Sequence, residues 1–128
     1  MNIIKPTESE LEILQILWQK GPSSVRIVNE ELAKYREIGY TTTLKLMQIM
    51  FEKGLLSRTE EGRYHLYKPE IEEEATQINL LGKFVDAAFR GSAMKLVMQA
   101  LGNHNSSKEE LEEIKKLIDS KINNDKSK

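Results

Sequence analysis

No cysteine occurs anywhere in this chain, which removes disulfides and thiolate metal sites together. The opening residues MNIIKPTESE lack the apolar core of a signal peptide, and with the missing cysteines this predicts a cytoplasmic protein. No stretch approaches the ~18 consecutive apolar residues of a membrane span. There are two histidines, His65 and His104, without the paired spacing of a metal set. Glycine-rich phosphate loops and nucleophile motifs are also missing. The expectation is therefore a non-enzymatic protein with no metal and no cofactor. Net charge is scarce too, at −1 for 128 residues. Residues 1–69 hold 10 Lys/Arg against 9 Asp/Glu, and residues 70–128 hold 9 against 11. Any phosphate-binding surface must come from local placement of charge.

What is present is helical patterning with clear stops. Thr7-Glu8-Ser9-Glu10 has the form of a capping box. The helix it opens carries Leu11, Leu14, Leu17 and Trp18 at helical spacing, widened by Ile13 and Ile16, and stops at Gly21-Pro22. Trp18 falls in that stripe and reads as core. Ser23 or Ser24 caps a second helix with the face Val25, Val28, Leu32 and Tyr35, broken at Gly39. Thr41 is expected to cap a third, running to about Lys53 and ended by Gly54. LLSRTEEGRYHLYKP then reads as two strands around a turn at Glu60-Glu61-Gly62, closed by Pro69.

From Pro69 onward the pattern is helical again. A proline-led acidic turn, Glu70 and Glu72 to Glu74, starts a helix ending at Arg90-Gly91. Ser92 caps a shorter helix ended by Gly102. Ser107 and Glu110 form a second capping box for a helix reaching about Ile122, with NNDKSK as a frayed tail. Three helices, a hairpin and three more helices predict a mainly α protein. Residues 1–69 form a winged helix-turn-helix and residues 70–128 a helical dimerisation region.

In the third helix, YTTTLKLMQIMFEKG, Thr43, Met47 and Met50 make a core stripe. The opposite face shows Thr41, Thr42, Lys45 and Gln48, with Leu44 and Ile49 at its margins. Threonine hydroxyls and the free amides of a first helical turn both donate to phosphate. Lys45 and Gln48 suit guanine and adenine edges, and Leu44 suits a thymine methyl. This is the pattern of a recognition helix.

The second half carries more than one apolar stripe. Ile71, Ala75, Ile78, Leu81, Val85 and Phe89 form one, and Leu80, Phe84 and Ala88 a second. Val97 and Leu101 continue it in the next helix, and Leu111, Ile114, Leu117 and Ile118 in the last. Three short helices cannot readily bury this much apolar surface alone. A homodimer interface at Leu80, Leu81, Phe84, Val85, Ala88, Val97, Leu101, Leu111, Ile114, Leu117 and Ile118 is expected. Packing of the three helices against the winged unit is the alternative.

The segments SELEILQILWQKGPSSVRIV, YTTTLKLMQIMFEKGLL and GRYHLYKP, in this order and spacing, resemble the BlaI/MecI penicillinase-repressor family of bacterial transcriptional repressors. The resemblance covers essentially the whole chain. It implies a homodimer that binds a palindromic double-stranded DNA operator, blocks transcription and is released by an inducing signal, in some members proteolysis, with a membrane sensor-metalloprotease as inducing partner. By position it gives base readout to Thr41, Thr42, Lys45 and Gln48, and phosphate contacts to Ser23, Ser24, Arg58 and Arg63. This chain departs from the family in three places. Members cut by proteolysis are cleaved at an Asn-Phe bond, where this chain has Gln99-Ala100. The cysteine-rich metal motif of the copper-responsive branch is missing. Thr43 stands where a larger aliphatic residue is common, implying a looser core. Two other classes remain open on the sequence: a winged-helix protein-interaction module without DNA binding, and a regulator sensing a small ligand.

Overall fold

A computed structural model of the chain describes residues 5–126. In chain order it contains α1 (Glu8–Lys20), α2 (Val25–Ala33), α3 (Tyr40–Glu52), β1 (Leu56–Glu61), β2 (Tyr64–Pro69), α4 (Glu73–Phe89), α5 (Ala93–Asn103) and α6 (Lys108–Lys126). It resolves into two compact units, Met1–Leu81 and Gly82–Lys128. The first two turns of α4 thus belong with the helices and hairpin that precede them.

The first unit is built on its caps. Thr7 accepts from the Glu10 amide at 3.1 Å, and the Glu10 carboxylate accepts from the Thr7 amide at 2.9 Å, so α1 begins at the expected capping box. Ser24, not Ser23, caps α2 by accepting from the Ile27 amide. α2 stops at Ala33, which leaves Tyr35 beyond the helix and 82% exposed instead of on its apolar face. α3 starts one residue before the expected cap: Gly39 is the N-cap and Tyr40 the first helical residue. Thr41 to Thr43 therefore lie inside the first turns.

α3 ends in a Schellman motif. Gly54 has φ +84, its amide donates to Phe51 O and the Leu55 amide donates to Met50 O. Leu55 and Met50, which this motif brings together, are both fully buried. The core around them gathers Ile13, Leu14, Leu17, Val25, Val28, Leu32, Met47, Leu56 and Tyr67. Each contributes about 1.5–3 kcal/mol through burial of its side chain.

The hairpin is antiparallel, with Leu56 opposite Pro69, Arg58 opposite Tyr67 and Glu61 opposite Tyr64. Its strands continue through Glu61, so the turn is Gly62-Arg63, with Gly62 at φ +66. A two-residue loop with positive φ at its first position alone is the type II′ pattern. Tyr67, 1% exposed, anchors the hairpin to the core. Its amide donates to Ser23 O and its carbonyl accepts from the Ser23 amide, so Ser23 adds a one-residue third strand. At the other end, the Trp18 indole donates to Ile71 O at 3.0 Å, holding the chain as it leaves the wing.

Thr43 does not loosen the core. It is fully buried, its hydroxyl donates to Gly39 O and accepts from Asn29 Nδ2 at 2.9 Å. Asn29 Nδ2 also donates to Ile38 O at 3.1 Å. A larger aliphatic residue would leave the Asn29 amide short of one partner; threonine fastens α3 to α2 across the turn.

α4 starts at Glu73, later than expected, because Pro69 is still paired with Leu56 in the sheet. In the second unit α4 ends on two left-handed residues, Arg90 (φ +51) and Gly91 (φ +82), whose turn returns the Gly91 amide to Val85 O. Ser92 caps α5. Ser107 and Glu110 form the expected second capping box. α6 continues through Lys126, so residues 123–126 of the expected tail are helical; Ser127 and Lys128 lie outside the described residues.

Candidate nucleic-acid interface

The first unit has a cleft of about 960 Å³ between the start of α2, the first half of α3 and the wing. Ser23, Ser24, Leu44 and Arg63, four of the residues expected at the site, line it together. On α3, Thr41, Thr42, Lys45 and Gln48 are exposed and Leu44 is half-buried, while Thr43, Met47 and Met50 point into the core. The two faces of the helix are thus divided as its sequence predicts. Gly39 offers no side-chain cap, so the cap hydroxyls found on α1 and α2 have no counterpart on this helix. Its free amides and the Thr41 and Thr42 hydroxyls are available to an acceptor from outside.

Two residues expected to hold phosphate are engaged elsewhere. Ser23 is buried, its hydroxyl donates to Gly21 O at 2.9 Å and both backbone groups pair with Tyr67. It ties α2 to the wing and leaves Ser24 as the accessible serine. Arg58 lies with its guanidinium carbon 4.0 Å from the centroid of the Phe51 ring and donates to the Tyr67 hydroxyl at 3.4 Å. It is half-buried against the protein. Arg63, at the turn, is exposed and borders the cleft.

The cleft also contains residues that spacing did not single out. Tyr40 is half exposed at the first position of α3, and Tyr64 is exposed beside the turn. His65 also lines the cleft, with its ring in T-shaped contact with the Tyr67 ring at 6.2 Å and Glu60 at 3.8 Å. Tyr40 was discoverable as the aromatic directly before the threonines. Lys20 and Arg26 complete the wall but are paired, Lys20 with Glu31 at 3.1 Å and Arg26 with Glu30 at 3.5 Å. Glu31 also binds Lys34, and the hydrogen bonds from these two lysines hold its carboxyl below the usual carboxylate range. Among the described residues, Lys45 and Arg63 have no ion-pair partner. Free positive charge in the cleft wall is thus Arg63 at the wing tip, with Lys45 on the exposed face of α3 nearby.

Of the residues expected at a dimer interface, Val85 is already buried, at 8% exposure. Leu80, Leu101 and Ile114 are half-buried, and Leu81, Phe84, Ala88, Val97, Leu111, Leu117 and Ile118 are exposed. Phe84 packs edge-on against Phe89 at 5.7 Å yet keeps half of its surface open. Gln99 and Ala100 lie exposed within α5. Among the described residues no group of three or more His, Asp or Glu side chains is placed to hold a metal, and no helix is long and apolar enough to cross a membrane.

The sequence matches the penicillinase repressor family over residues 6–120. The chain belongs to that family. Among its relatives, the methicillin resistance regulatory protein MecI of Mammaliicoccus sciuri is 23% identical over 115 residues, 90% of this chain and 94% of that protein. The penicillinase repressor of Bacillus licheniformis is 25% identical over 120 residues, 94% of each chain. A solution structure of Bacillus licheniformis BlaI, in monomeric form in complex with the blaP half-operator, superposes with a TM-score of 0.50 at 27% identity. It covers 57% of this chain and 89% of that one. The family likeness thus spans both units, whereas the structural likeness spans little more than half of this chain.

Proposed function

We propose that this protein is a cytoplasmic, non-catalytic transcriptional repressor that binds a palindromic operator as a homodimer. The observation that carries the reading is the recognition face of α3. Thr41, Thr42, Lys45 and Gln48 stand exposed and unpaired beside a cleft closed by a wing with a free arginine at its tip. A helix presented this way enters the major groove while the wing reaches the flanking backbone. The complex of Bacillus licheniformis BlaI with the blaP half-operator supports DNA as the ligand. Lys45 and Gln48 read base edges, Leu44 packs against a thymine methyl, and Thr41, Thr42, Ser24 and Arg63 contact phosphate. Release follows an inducing signal.

Selection of bound fragments from random DNA, followed by titration of the winner, tests this. A palindrome with half-sites about one helical turn apart is expected. Lys45→Ala and Gln48→Ala each weaken binding to it by about 1–3 kcal/mol and relax base preference at one position per half-site. Failure of the folded protein to enrich any sequence would place it instead among winged-helix protein-interaction modules, a class that its near-neutral charge suits.

A further inference from the structure

Arg58 differs from the cations of the cleft wall, α2 and the exposed face of α3 in what it touches. Lys20, Arg26 and Lys34 pair with carboxylates on α2, and Lys45 and Arg63 face outward. Arg58 meets two neutral groups, the face of the Phe51 ring and the Tyr67 hydroxyl. Phe51 belongs to the last turn of α3, the recognition helix. Tyr67 is the cross-strand partner of Arg58 and is itself clamped, through both backbone groups, to Ser23 at the entry to α2. One guanidinium thus joins the end of the recognition helix to the wing, opposite a strand residue whose backbone is tied to the entry of α2. Cation–π contact and a hydroxyl acceptor hold it there without adding a negative charge near the DNA-facing surface.

From this junction to the turn the hairpin runs four residue pairs, three steps along the strand, from Arg58 opposite Tyr67 to Glu61 opposite Tyr64. That is a lever of about 10 Å at the rise of a strand. A tilt of ~10° at its base moves Arg63 by ~2 Å, enough to break a phosphate hydrogen bond. We infer that Arg58 is a positioning residue that fixes the angle of the wing to the recognition helix, and acts on DNA through Arg63 instead of by a phosphate contact of its own. The inference rests on the DNA-binding reading above and deepens it.

Two measurements decide it. In the first, Arg63→Ala is made in the unmutated protein and in Arg58→Met, a substitution that keeps an unbranched apolar side chain but removes the cation and the donor. If Arg58 acts through Arg63, Arg63→Ala weakens operator binding about 5–10-fold and lowers the salt slope by about one in the unmutated background. In the Arg58→Met background it changes affinity less than twofold and leaves the slope alone. If Arg58 is a phosphate contact, the two effects multiply and the double variant loses about two units of slope, which overturns the inference. In the second, amide hydrogen exchange compares the free proteins. Faster exchange confined to β1 and β2 in Arg58→Met supports the brace. Unchanged exchange, or equal acceleration in α1 and the wing, overturns it. Should the unmutated protein select no DNA sequence, the DNA reading falls while the exchange comparison still decides whether Arg58 braces the wing.

Discussion

Glu10 takes a carboxylate into the interior of the winged unit and keeps it charged. It is 2% exposed, yet it accepts from the Thr7 amide and from Lys53 Nζ at 2.8 Å. Burial pushes its pKa up, but Lys53 and Thr7 together outweigh burial and hold it below the ordinary carboxylate value. A carboxyl with a lowered folded-state pKa adds stability that is fully present above its unfolded value and is lost as pH falls through the folded one. Urea midpoints at neutral pH and near pH 3 should therefore differ more in the unmutated protein than in Glu10→Gln. Lys53→Met should lower neutral-pH stability by about 1–3 kcal/mol, because the buried carboxylate loses one of its two partners. Equal stability of Lys53→Met in urea titration would mean that water replaces the ammonium without loss. The capping box that holds Glu10 was readable from four consecutive residues. Lys53 was not, since it lies 43 positions away and only the packing of α3 on α1 brings it there.

At the scale of elements, α3 is where sequence and structure agree most closely. Its buried and exposed residues alternate at helical spacing, and the division into Thr43, Met47 and Met50 on one side and Thr41, Thr42, Lys45 and Gln48 on the other could be read from periodicity alone. The cap, the turn type and the fate of the cations could not. Thr41 has the better cap chemistry, and only the backbone shows that the N-cap is Gly39. Ser23 and Arg58 had the right type and neighbourhood for phosphate contacts but were taken by Tyr67 and Phe51, partners supplied by long-range packing that local spacing does not encode. The last of the three threonines, Thr43, binds Asn29 and Gly39 and so ties α3 to α2. Thr43→Val keeps the shape and removes the hydroxyl, leaving the Asn29 amide with Ile38 O alone. It should cost about 1–2 kcal/mol in thermal or urea unfolding. Operator affinity should fall with it, because a recognition helix displaced by an ångström loses base contacts before it loses its fold. A Thr43→Val protein of unchanged stability would show that Asn29 finds another acceptor in the turn.

For the whole molecule, the sparse free charge and the uncovered apolar helices are two sides of one design. One protomer offers Lys45 on the exposed face of α3 and Arg63 at the wing tip as unpaired cations, too few for strong binding to a polyanion. It also leaves Phe84, Val97, Leu111, Leu117 and Ile118 exposed in a unit with little buried core of its own. A second copy covering these side chains would remove apolar surface from water and bring a second recognition helix to the same DNA molecule. The salt slope then has a predictable size. If Lys45 in the groove and Arg63 on the backbone each displace one counterion, the dimer releases about four, and the slope is about −3.6 at −0.9 for each. Leu117→Glu with Ile118→Glu places charge in the middle of the uncovered α6 face and should yield a folded monomer in sedimentation. That monomer should bind the full operator about 10²-fold or more weaker, since the second half-site no longer gains from tethering. Its slope should fall to about half, because each binding event now neutralises half as many phosphates. A variant that becomes monomeric yet keeps the steep slope would mean that one protomer contacts more phosphates than its free cations supply, with the paired Lys20 and Arg26 exchanging their carboxylates for DNA.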